Sequence, residues 1–130
     1  MNTTKSSLDT ENIKKIAPIA IVIGVVLGVL ISLGIYLGGL WTAILILAWA
    51  FCGVLYSNTI IKTGGASDVT TLALNGAVVA VISELAYDIS TWIFMSFAGS
   101  PLSVGLILEA LIVGALSAVF WHTVQTSNKK

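Results

Sequence analysis

A chain of 130 residues that is 57% hydrophobic and 9% charged, with a mean hydropathy of +1.02, lies outside the range of soluble domains. Its formal net charge is zero, which leaves no basic field for nucleic acid, and its lone cysteine, Cys52, excludes an internal disulfide framework. The length holds about four membrane-spanning helices and almost no soluble domain. The expected fold class is therefore all-α: a polytopic membrane protein whose four transmembrane helices form two hairpins.

Residues 1–15 read as a short polar cytoplasmic arm, with Asp9 or Thr10 as the candidate helix cap. The apolar run 16–37 follows Lys14 and Lys15 as a signal sequence would. At about 22 residues, however, it is too long for the usual signal core, and no small-x-small cleavage site follows it, so a retained first helix is expected. On one face of this helix Ala20, Gly24, Gly28 and Ser32 recur every fourth residue. Small residues at that spacing let two backbones approach closely, which is how helices associate where the hydrophobic effect gives no drive.

Gly38 and Gly39 make a tight turn into the second span, 40–61. The polar run 62–68 connects it to the third span, 69–97, on which Gly76 and Ala80 continue the small-residue period into Glu84 and Asp88. At roughly 29 residues the third span would extend about 43 Å, against a hydrocarbon core of about 30 Å. Either it tilts, or its outer part from Tyr87 onward bends into the interface. Gly99, Ser100 and Pro101 lead to the fourth span, 102–123, and residues 124–130 form a cytoplasmic tail.

All six basic residues are lysines (Lys5, Lys14, Lys15, Lys62, Lys129 and Lys130), and they fall in the flanks and the middle loop. With an even number of spans these places share one side, so the positive-inside rule puts both termini in the cytoplasm of a multi-pass cell-membrane protein. Tyr36, Trp41, Trp92 and Phe97 would mark the outer boundary, Tyr56 and Trp121 the inner one. Two alignments suggest a parallel internal repeat. Gly24, Gly28, Ser32 and Gly34 match Gly76, Ala80, Glu84 and Ala86, while Gly53, Tyr56 and Asn58 match Ser117, Phe120 and His122.

The candidate functional residues are Glu84, Asp88 and Glu109. These carboxylates sit inside apolar stretches that hold no basic residue. Each costs roughly 2.5–3.5 kcal/mol near a helix centre and so needs a proton, hydrogen-bond donors, a cation or a partner chain. Counting from Trp92 puts Glu84 about 12 Å and Asp88 about 6 Å deep, and Glu109 lies about 10 Å below Leu102. The three would converge in the outer half of the bundle, near Ser83, Tyr87, Ser90, Thr91 and Ser103, as an ion or proton site or as acids paired with another subunit.

Asn75 is expected to hydrogen-bond across helices, His122 to sit at the cytoplasmic interface, and Cys52 to fill the core. No phosphate-binding loop, nucleophile triad, metal-ligand cluster or haem motif is present, so neither an enzyme acting alone nor a cofactor is expected. Residues 56–66, from Tyr56 through Lys62 to Gly64, Gly65 and Ala66, followed by Asn75, Gly76 and Ala77, resemble a pattern in small prokaryotic, often archaeal, four-helix membrane proteins of unknown function. The resemblance implies a prokaryotic membrane protein and brings no activity with it.

The functional expectation is a non-catalytic accessory or structural subunit of a larger membrane complex, of an ion-translocating or electron-transfer kind. Its partners would be the lipid bilayer and other membrane subunits or copies of itself. The alternative is an autonomous proton- or cation-coupled transporter or channel using the intramembrane carboxylates. A structural protein of a virion envelope is a third class.

Overall fold

The computed structural model describes residues 8–34, 39–63, 68–95 and 103–127. They form four helices, α1 (Thr10–Ser32), α2 (Gly39–Thr63), α3 (Val69–Phe94) and α4 (Val104–Ser127), each long and apolar enough to cross a membrane. Tyr36, Gly38, Gly64, Gly65, Ala66, Phe97, Gly99, Ser100 and Pro101 lie outside the described residues.

Polar side chains at the ends define where the helices start. Asp9 caps α1, its carboxylate accepting from the Asn12 amide at 3.3 Å and its carbonyl from Ile13 at 2.9 Å. This cap lets the helix begin at Thr10, ahead of the apolar run, so residues 10–15 are its first turns. Asp68 caps α3 through the Thr71 amide at 3.1 Å, and Ser103 caps α4 through the Leu106 amide at 3.4 Å. At its far end α1 stops in a turn where Gly34 takes a φ of 89°, a left-handed conformation that other residues rarely adopt. α1 begins six residues before its apolar run, and α4 continues to Ser127, four residues past the run 102–123.

α3 is the hub. It packs along α1, α4 and α2, and α2 also packs on α4; α1 and α2 touch little, and described residues of α1 and α4 do not meet. Going round the bundle the order is α1, α3, α4, α2. Pairings along the helices give their directions. Asp9 bonds to Asn75, and Gly24 and Gly28 lie against Tyr87 and its neighbours, so α1 and α3 are parallel. Ser103 bonds to Asp88 while Gly114 lies against Gly76, so α3 and α4 are antiparallel.

This register accounts for the length of the third span. α3 is one continuous helix with no break at Tyr87. Because α1 starts level with Asn75, the extra length of α3 lies at its N-terminal end, beside the lysines, and not in an outer segment bent into the interface. The two halves of the sequence pack unequally. Gly53 and Ser117, matched in the alignment, do lie against each other, but Gly24 meets Ser83 and Tyr87 rather than Gly76. The α3–α4 pair is also close where α1–α2 is loose.

Glycines carry the close approaches. A Cβ on Gly24 would collide with the Ser83 carbonyl oxygen and stand 2.9 Å from the Ala86 Cβ; one on Gly28 would strike the Ser90 hydroxyl. On the other side of α3, a Cβ on Gly114 would stand 2.5 Å from the Gly76 carbonyl oxygen and 2.6 Å from the Ala80 Cβ, and one on Gly53 of α2 would stand 2.5 Å from the Gly114 carbonyl oxygen. Ala20 is fully buried in the same way, and Ser32 returns its hydroxyl to the Gly28 carbonyl at 2.7 Å. The core between these contacts is built from Leu45, Trp49, Tyr56, Leu72 and Val79.

Candidate functional site

The three acids separate into three environments. Glu84 is 0% exposed, and neither of its carboxyl oxygens has a hydrogen-bond partner. Its level of the core holds Trp41, Leu45 and Trp49 from α2, Ala80 and Tyr87 from α3, and Ala110 from α4. An ionised carboxylate without donors in such surroundings is prohibitively expensive, so the neutral acid is the form that fits this site. Asp88, one turn on, is near enough to Glu84 to interact with it electrostatically.

Asp88 is also buried but has a partner. Its Oδ2 accepts from the backbone N–H of Ser103 at 2.8 Å. That amide stands at the N-terminus of α4, where unpaired donors and the helix dipole favour a carboxylate. Asp88 thus closes the α3–α4 pair from the side chain of one helix to the end of the other.

Glu109 does not join them. It is exposed on the outside of α4. The sequence expectation of three converging acids therefore fails at this residue, because α4 turns Ala110, Gly114 and Ala118 inward and leaves the adjacent position facing out. Its depth, however, matches that of Glu84. Gly114 lies beside Gly76, Ala77 and Ala80, and Ser103 bonds to Asp88, which sets Glu109 opposite the turn of α3 that carries Glu84. That turn is about 15 Å from the end of α3 at Phe94.

A second polar cluster lies at the lysine-bearing end. The Tyr56 hydroxyl donates to Asp9 Oδ2 at 3.0 Å, and the Asn12 side chain donates to the same oxygen at 2.7 Å. The Asp9 backbone N–H donates to Asn75 Oδ1 at 2.7 Å, and Asn75 Nδ2 donates to the Thr71 carbonyl at 2.8 Å. Three helices are tied at one capping residue. Burial alone would raise the Asp9 carboxyl, but the hydrogen bonds from Asn12 and Tyr56 and the nearby Lys15 charge outweigh it and hold it below its ordinary value. Asp68 is likewise held low by its bonds from Thr71.

Sequence reading anticipated that Asn75 would hydrogen-bond across helices and that Asp9 or Thr10 would cap α1, without linking Asn75 to Asp9, since the two lie 66 residues apart. It missed Gly53, and it missed Gly114, although Ala110, Gly114 and Ala118 repeat the four-residue spacing of small residues seen on α1. It placed Trp41 in the outer aromatic belt, whereas the side chain is 4% exposed and its indole N–H donates to the Tyr87 hydroxyl at 3.0 Å inside the bundle. Cys52 is buried and His122 half-buried; among the described residues no group of acids, cysteines and histidines is placed to hold a metal ion.

Three apolar grooves lie between helices. One of about 570 Å³ runs between α1 and α3 past Ile21, Val25, Ile89 and Phe94. Another of about 420 Å³ runs between α1 and α2 past Val22, Val26, Leu47 and Phe51. A third of the same size, between α3 and α4, is lined by Leu74, Ala77, Leu111 and Ile112. Neither Glu84 nor Asp88 lines any of them. No protein-family model, curated protein or solved structure matches this chain.

Proposed function

We propose that the protein is a non-catalytic accessory subunit of a larger membrane complex, with both termini in the cytoplasm. The observation that carries this reading is the division of its polar and apolar surface. Asp9 bonds to Tyr56 and Asn75, Trp41 to Tyr87 and Asp88 to Ser103, all inside the bundle, while the grooves described between the helices are lined by apolar side chains. Such a surface suits lipid tails and neighbouring helices better than a polar solute. The test is purification in a gentle detergent followed by mass spectrometry. The chain is expected to travel with at least one other membrane protein in fixed ratio; a chain that purifies alone, at monomer mass, contradicts the proposal.

A second reading is favoured by Glu84. A fully buried carboxyl with both oxygens unpartnered can take up and release a proton if water reaches it. In that case the chain is an autonomous proton-coupled transporter, with Asp88 as the neighbouring acceptor.

A further inference from the structure

Glu109 is out of keeping with its surroundings. It is exposed on α4 between Leu108 and Leu111, with Val104, Ile112, Leu116 and Phe120 also exposed along the same helix. It lies level with Glu84, well inside the apolar length of the bundle, because α4 begins at the depth of Asp88 and not at the outer end of α3. From there a glutamate side chain is too short to reach the end of the apolar bundle at Phe94, about 15 Å away by the rise of α3. Lipid tails offer it nothing.

α4 is also the helix least used by the fold. Its buried residues are Ala110, Gly114 and Ala118, all small, and no atom of the described residues lies within 4 Å of where a Cβ on Gly105, one turn before Glu109, would be. A neighbouring helix can therefore come close to α4 at the turn that carries the acid. The charge distribution limits what that neighbour is. Every basic residue of this chain is a lysine outside its apolar stretches, so a second copy in the same orientation brings another glutamate and no cation.

We infer that the outer face of α4 is a docking surface for a transmembrane helix of a different protein, which carries a lysine or arginine at the depth of Glu109. This rests on the accessory-subunit reading and names the chemistry of the partner. The ion pair would form within the hydrocarbon, where an unpaired charge costs more than a paired one, so it selects partner and register together. The flanking exposed residues Leu108, Ile112 and Leu116 supply the apolar contact around it.

The test uses synthetic transmembrane peptides, since the natural partner is unidentified. The full-length protein and a polyleucine helix with one central lysine are labelled and reconstituted in phosphatidylcholine vesicles, and their association is read by energy transfer. A polyleucine helix without lysine serves as the control. The lysine peptide is expected to bind the wild type, with association about tenfold weaker in Glu109→Leu, a substitution at an exposed position that leaves the fold's contacts intact.

Equal binding of both peptides, or no binding of either, overturns the inference. So does self-association of the labelled protein that Glu109→Gln abolishes, which would assign the face to a second copy. A chain that co-purifies with a partner yet ignores the lysine peptide refutes this surface alone; a chain that binds the peptide but purifies without a partner refutes the accessory reading instead.

Discussion

At residue scale the most informative group is Glu84, because it has the burial of a core residue and the chemistry of a surface one. A buried polar group with no partner lowers stability by about 1–3 kcal/mol relative to an apolar replacement of similar shape. Glu84→Leu should therefore raise the melting temperature in detergent, and Glu84→Gln should leave it nearly unchanged. A marked loss of stability in Glu84→Leu would mean that the carboxyl makes a bond the fold depends on. Asp9 behaves in the opposite way. Its carboxyl is held below the ordinary value of 3.8, so the stability it adds is fully present above that value and disappears as pH falls through the lower one. Wild type and Asp9→Ala should differ in melting temperature at neutral pH, by the equivalent of about 1 kcal/mol for a lost cap, and converge once the pH has fallen below the lowered pKa of the folded state. A difference that persists in acid would show that packing, not the charge, is what Asp9 contributes.

At the scale of elements the helices are held by glycines with different tolerances. Gly114 faces the Gly76 backbone and the Ala80 Cβ, neither of which can swing aside, and Gly24 faces the Ser83 backbone. Gly105 faces open space. Gly114→Ala is expected to destabilise by about 1–3 kcal/mol through overpacking, while Gly105→Ala should be neutral or stabilise by up to about 1 kcal/mol through helix propensity. Thermal unfolding of the two variants checks this, and equal effects would mean that the α3–α4 contact is looser than described.

These differences also mark how far the sequence could be read. The four spans were legible because long apolar runs and polar caps such as Asp68 are local signals. The period of Ala20, Gly24 and Gly28 likewise marked a face on which small residues recur. On α4 the same period, Ala110, Gly114 and Ala118, marks the inward face, but Ala115 and Ser117 beside it blur the signal. In lipid the outer side of a helix is as apolar as the inner side, so Leu108 and Ile112 look no different from core residues and Glu109 could not be told from Glu84. The pairing of Asp9 with Tyr56 and Asn75 depends on three helices meeting, which spacing along the chain does not encode.

At the scale of the whole molecule, α3 organises a bundle whose polar groups are directed inward or to the lysine-bearing end, with Glu109 as one polar group on its flank that is not. An even number of spans with lysines at both termini and beside the middle loop predicts that tags on the two termini report the same, cytoplasmic side; opposite sides would refute the topology. The central claim is that this bundle serves as a docking partner and does not itself move ions. Reconstitution of the purified chain into liposomes containing a pH-sensitive dye tests it most directly. The account predicts no proton flux above that of empty liposomes under an imposed pH gradient or membrane potential. A flux carried by the chain alone and abolished by Glu84→Gln, with the variant still folded, would contradict the account and establish the buried acid as the coupling site.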